Sequence, residues 1–172
     1  MSVLAEAISV IISRAAIDKS YPGGYAALER DAPTETICTD GYLVRVGFYA
    51  MDDAQFFLRM LAASGLVIER HGIAIDAVLI DQNLGPSRTC LWIELGRERD
   101  GTLVCWHAAA RRGALHVPID WEPGRGPRLG DSPGRAFAKK LVRFIKTEDS
   151  LDWYHDRRAG RLVSMPSPFV AH

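Results

Sequence analysis

The chain has 172 residues, 48% of them hydrophobic and 24% charged, the balance of an ordinary globular domain. That length supports one domain with a substantial core, without help from disulfides or structural metals. Its 21 basic and 21 acidic residues cancel, so the basic excess of a general nucleic-acid or membrane-surface binder is missing.

Three cysteines, at 38, 90 and 105, are odd in number and match neither a C-x-x-C nor a zinc-ligand spacing. They read as reduced packing thiols, which points to the cytoplasm. The apolar residues 8–12 have no basic stretch before them and no cleavage site after them, so a secretion signal is not expected. No run approaches the ~20 consecutive apolar residues of a membrane-spanning helix.

In chain order, AISVIISRAAI (7–17) is rich in β-branched residues and predicts a buried strand, although Leu4, Ile8, Ile11 and Ile12 also fit a helical stripe. Ser20 is placed to cap a short helix through Leu28, opened by Pro22 and ended by Pro33. Residues 34–39 and 42–49 form a hairpin candidate about Asp40-Gly41, with Tyr42, Val44, Val46 and Phe48 on its core face. The clearest helix follows. Asp52 is its N-cap, Gln55 completes a capping box, Met51 can staple onto Phe56, and Ala54, Phe57, Leu58 and Leu61 recur at helical spacing before Gly65. Residues 66–70 and 73–81 predict a third hairpin about His71-Gly72, and DQNLGPSRT (81–89) a turn-rich loop.

CLWIELGRERDGTLVCWHA (90–108) carries the strongest hairpin signal, Asp100-Gly101. A two-residue turn there sets Arg99 opposite Thr102, Leu95 opposite Trp106 and Glu94 opposite His107. Alternation then places Leu91, Ile93, Leu95, Val104 and Trp106 on one apolar face, and Cys90, Trp92, Glu94, Cys105 and His107 on the other. Beyond it, residues 114–121 read as an edge strand because of Pro118. EPGRGPRLGDSPG (122–134) reads as a loop and RAFAKKLVRFIK (135–146) as a basic amphipathic helix, followed by an acidic, aromatic segment and a strandless tail. Together these predict an α+β fold: a mostly antiparallel sheet built from hairpins, with helices packed on one face. Residues 1–121 would be the core domain and 122–134 a Gly/Pro-rich loop, with the helix and tail of 135–172 packed on the same domain.

Chemistry concentrates in the predicted Glu94/His107 pair, whose Cβ atoms would stand ~4.5–5.5 Å apart if directly opposed. Beside Trp92 such a pair could do general acid–base work or supply two metal ligands, or could be a plain cross-strand contact. No third ligand is evident from spacing, although Asp81, Asp76 and His116 could lie near in space; no metal and no cofactor is expected. Asp81, Gln82 and Asn83 with Gly85-Pro86 could line a pocket mouth, as polar residues at a strand end often do, or simply make a loop. Gly124, Gly126 and Gly130 do not make a phosphate cradle, because Pro127 and Pro133 remove donors and Asp131 would repel an anion.

Tyr21-Pro22-Gly23-Gly24, Cys38-Thr39-Asp40-Gly41, Val46-Gly47-Phe48, Asp81-Gln82 with Gly85-Pro86, and Cys90-Leu91-Trp92-Ile93-Glu94 together resemble a family of small uncharacterised bacterial proteins, over roughly residues 5–96. The resemblance implies no activity. The strand–helix–three-strand order also resembles one module of the vicinal oxygen chelate fold, in which His and Glu on sheet strands hold a divalent metal. Only Glu94 falls at a matching strand position, and fold analogy does not license function.

The residues therefore favour a cytoplasmic protein that binds a partner or small ligand through a sheet face bearing Trp92, Glu94 and His107, with Asp81 and Gln82 nearby. A covered sheet face could also pair two copies in a homodimer. One alternative is a small metal-assisted enzyme using Glu94, His107 and Asp81. The other is a module that binds RNA or an acidic partner through the basic helix 135–146, although the balanced charge argues against nucleic acid as a partner.

Overall fold

The computed structural model describes residues 1–32, 37–118, 121, 142–148, 151–156 and 161–166, the last three segments as backbone. In chain order, β1 (Ser2–Leu4) and β2 (Ile8–Ser13) precede α1 (Arg14–Ser20) and α2 (Gly24–Asp31), and β3 (Ile37–Thr39) and β4 (Leu43–Phe48) lead into α3 (Met51–Ala63). Six short strands follow: β5 (Glu69–Arg70), β6 (Ile73–Ala74), β7 (Ala77–Asp81), β8 (Gly85–Pro86), β9 (Ile93–Arg97) and β10 (Leu103–His107). Last come β11 (Leu115–His116), β12 (Val142–Glu148), β13 (Leu151–Asp156) and β14 (Arg161–Pro166). The α+β class, mostly antiparallel, is the one expected.

The main sheet has five strands in the order β3-β4-β2-β7-β8, all neighbours antiparallel. Its two faces bury different sets of side chains, because successive residues of a strand point to opposite sides. Val10, Ile12, Val44, Val46, Phe48, Ala77 and Leu79 pack with Ala16, Ile17, Leu28, Phe57, Met60 and Leu61 of the three helices. Ile11, Cys38, Leu43, Val78 and Ile80 face the other way, against Val3, Ile93, Leu103 and Cys105. Those partners belong to a second sheet, β11-β1-β10-β9, in which β11 runs parallel to β1 and the rest are antiparallel. Helices thus cover one face of the main sheet, as expected, and a small sheet covers the other. The hairpin's predicted single core face is corrected accordingly: all six residues of β4 are buried, from both sides.

Local chemistry explains where the elements begin and end. The run 7–17 is divided: its β-branched part is β2, while the Arg-Ala-Ala stretch continues as α1. Ser20 ends α1 instead of capping α2, whose N-cap is Gly23 in the left-handed region at φ 82°. Helix α3 starts at Met51 with Ala50 as N-cap and no side-chain cap, so the expected Asp52–Gln55 box does not form. Asp52 and Asp53 sit in the first turn, where their charges complement the helix dipole. Its far end is a Schellman stop: Gly65, at φ 107°, donates to Ala62 and Leu66 donates to Leu61. His71-Gly72 turns β5 into β6 at the place where the hairpin was read, with φ 51° and 80° as in a type I′ turn. The strand expected over 73–81 is broken at Ile75-Asp76, so that β6 and β7 lie in different sheets.

β11 is an edge strand, as Pro118 suggested, though only two residues long. The C-terminal expectations are corrected. Residues 142–146 lie in β12, which with β13 and β14 makes a three-stranded antiparallel sheet, so the helix 135–146 does not extend through them and the tail is not strandless. Residues 122–134, where the glycine-rich loop was expected, and 135–141 lie outside the described residues.

Candidate functional site

The 90–108 hairpin forms, but one residue out of the expected register. Gly101 donates to the Glu98 carbonyl (3.0 Å) and Glu98 to Thr102 (2.9 Å), which closes a three-residue loop instead of a two-residue one. Gly101 takes φ 90°, and an Asp100 carboxylate oxygen accepts from the Thr102 amide at 3.0 Å. This is a type I turn followed by a left-handed glycine, which uses Asp-Gly as readily as type I′ does. Glu94 therefore faces Trp106, and His107 faces Ile93. A one-residue slip exchanges the faces.

The proposed pair is thereby undone. Glu94 is exposed and accepts a hydrogen bond from the Trp106 indole N–H (3.0 Å). His107 points to the opposite face, with its ring 5.9 Å from that of Tyr42 and its Nδ1 accepting from the Ala109 amide (3.1 Å). The Trp92 indole donates to the Ala74 carbonyl (3.1 Å) and packs on the core between the sheets. Trp92, Glu94 and His107 share no common surface. Among the described residues no group of three or more His, Cys, Asp or Glu could hold a metal ion.

The Asp81 loop fares differently. Gln82 is a structural latch: its Oε1 accepts from the Ala7 amide (2.7 Å) and its own amide donates to the Ala7 carbonyl (2.9 Å). This holds Ala7 at φ 52°, the corner where the chain passes from the small sheet to the main one. Asp81 ends β7, and its Oδ1 accepts from the Asn83 and Leu84 amides (2.7 and 3.1 Å), tightening the turn into β8. It also lines a groove of about 520 Å³. One wall is α3, through Met51, Gln55, Leu58 and Arg59, and the other is residues 84–88, Leu84 to Arg88. Leu79 and Asp81 form the floor, and Ile68 and Glu69 close one end. The volume lies within the ~300–1,000 Å³ of small-molecule sites.

Charges in the groove are mostly paired. Arg88 Nε meets Glu69 at 2.6 Å, and its Nη1 donates to the Ser87 carbonyl at 2.8 Å. The Arg88 hydrogen bond holds the exposed Glu69 carboxyl below its ordinary pKa. Of the residues expected at a pocket mouth, Asp81, Gly85 and Pro86 line the groove, and Gln82 and Asn83 do not. Sequence reasoning passed over Arg59 and Arg88. The signal for Arg59 was present, since Met51, Gln55 and Arg59 recur every four residues along one side of α3, next to its core stripe.

A second polar cluster is sealed between the sheets. Arg45, 7% exposed, donates through Nε to Ser9 Oγ (3.1 Å) and through Nη2 to the Glu6 carbonyl (3.2 Å). Burial lowers its pKa, and the nearby Cys38 and Glu6 partly restore it. Cys38 and Cys105 are free and buried. Burial pushes the Cys38 thiol up to about 11 and raises Cys105 further, which makes both poor nucleophiles. This cluster braces the interior.

Among the described residues no helix is long and apolar enough to cross a membrane. No protein-family model, no curated protein and no solved structure compared with this chain matches it, so what can be said of its chemistry comes from the groove itself.

Proposed function

We propose that this chain is a small-molecule-binding protein whose site is the groove between α3 and the β7–β8 corner. The observation that carries it is the recess itself, about 520 Å³ lined by apolar side chains from α3, β7, β8 and the segments beside them, together with charged ones. Leu84, 85% exposed on its rim, is an apolar side chain that a ligand would cover. Acid–base or metal chemistry around Trp92 loses its support with the Glu94–His107 register. Three free thiols favour a reducing, cytoplasmic setting.

Ligand-observed NMR screening of a small-molecule set, followed by amide shift mapping on ¹⁵N-labelled protein, tests this. Binders are expected to move amides of Leu58, Ile68, Leu79 and Ser87, and to lose at least tenfold in affinity when Gln55→Trp fills the wall. Binders that instead map around Trp92 or His107, or that ignore Gln55→Trp, would overturn the assignment.

A further inference from the structure

Four charged side chains line the groove, and their engagement differs. Arg88 and Glu69 neutralise one another at 2.6 Å. Asp81 shares its Oδ1 with two amide hydrogens of its own turn. Arg59 is exposed on the α3 wall and, among the described residues, makes no hydrogen bond or ion pair. A guanidinium has five donors and no acceptor, and its planar fork matches a carboxylate or phosphate through two parallel hydrogen bonds. Beside it lie Met51, Leu58, Ile68, Leu79 and Leu84, which can accept only hydrocarbon.

The charge count limits the head group. With Arg88 and Glu69 cancelled and Asp81 held by its own turn, one ligand charge can be met by Arg59, a cation that among the described residues is unengaged. A dianion would leave a second negative charge beside Asp81 and Glu69 without a counter-charge. We infer, resting on the groove being the binding site, that its ligand is an aliphatic monocarboxylate whose carboxylate is held by Arg59 and whose chain lies along Leu58 and Leu79. Arg59 is thus the specificity-determining residue of the site.

Octanoate, 1-octanol and octyl phosphate, each below its micelle concentration at pH 8, separate the possibilities by amide shift titration. Octanoate is expected to shift the Leu58, Ile68 and Leu79 amides and to bind about tenfold more tightly than octanol, a loss that one charge-assisted bidentate contact accounts for. Arg59→Gln, at an exposed position, should remove that preference and leave octanol binding unchanged, whereas Lys19→Gln on α1 should change neither. Octanol equal to octanoate, or octanoate binding indifferent to Arg59→Gln, would overturn the carboxylate and leave the groove in place. Octyl phosphate binding more tightly than octanoate would replace the monoanion with a dianion. No shift at the groove with any of the three probes would overturn the aliphatic ligand, while binders of other chemistry mapping there would still sustain the site.

Discussion

Gly47 offers the sharpest energetic test of the interior. It lies in β4 on the face toward the small sheet, two residues from Arg45, and the guanidinium folds back over it. A methyl group at residue 47 would stand 2.5 to 2.6 Å from Nη2, Cζ and Nη1 of Arg45. The end of an exposed arginine would step aside at little cost, but this one is buried and donates to Ser9 and Glu6. Displacing it weakens hydrogen bonds from a charged donor, each worth about 1.5–3 kcal/mol. Alanine is otherwise favoured over glycine inside a strand by about 0.5–1 kcal/mol. Gly47→Ala should therefore destabilise the fold by about 2–4 kcal/mol, opposite in sign to the usual trend. Arg45→Met keeps the apolar stem and removes the fork, and Ser9 Oγ retains its own bond to the Glu6 carbonyl (2.9 Å). In that background Gly47→Ala should be neutral or favourable. Urea unfolding of the four proteins, extrapolated linearly, gives the coupling directly. A coupling below about 0.5 kcal/mol would refute the close approach.

The Cys38 thiol, raised by burial from 9.0 to about 11 with Arg45 pulling partly the other way, links stability to alkaline pH. The unfolded chain releases this proton first, so the contribution is intact below pH 9 and is lost as pH rises to about 11. The loss is about 3 kcal/mol and should be absent from Cys38→Ala when the two unfolding curves are compared from pH 8 to 11. Under native conditions a thiol reagent should modify the half-buried Cys90 first and reach Cys38 and Cys105 only on unfolding, which mass spectrometry of labelled peptides would show. Glu94→Ala should move the Trp106 indole N–H resonance and leave the His107 ring resonances in place; the reverse would restore the pairing that the register excludes.

What was legible in the chain was periodicity, and what was not was register. The β-branched run of β2, the helical stripe of α3 and the left-handed Gly65 are local signals, and each appears where its residues stand. His71-Gly72 also read correctly, because both residues adopt positive φ. The two Asp-Gly turns did not. At Asp40-Gly41 the pairing Thr39↔Val44 centres the bend on Gly41-Tyr42, with Asp40 Oδ1 accepting from the Tyr42 and Leu43 amides (2.9 and 2.8 Å). At Asp100-Gly101 the carboxylate likewise binds an amide beyond the glycine. In both, aspartate remains outside the left-handed region and caps the turn with its side chain, an option the dipeptide alone does not distinguish. The site suffered accordingly: Glu94 and His107 depended on register, whereas Asp81 depended only on ending a strand. Arg59 and Glu69 escaped notice because α3 and β5 meet β8 only through the tertiary fold.

The register of β9 and β10 follows from burial more than from the turn. As observed, Ile93, Leu95, Leu103 and Cys105 all point at the main sheet, whereas Val104 is buried from the other side. Pairing Glu94 with His107 would turn Leu103 and Cys105 away from that core while Ile93 stayed, at a cost of about 1.5–3 kcal/mol for each large side chain exposed. Deleting Arg99 leaves Asp100-Gly101 as a two-residue loop between Glu98 and Thr102, the length that type I′ requires. If the core sets the pairing, the shortened loop changes stability by no more than about 1 kcal/mol and Glu94 remains opposite Trp106. The Trp106 indole N–H should then stay sensitive to Glu94→Ala in the deletion variant. A shift of that sensitivity to His107 would show instead that the turn chooses the register and the core merely follows.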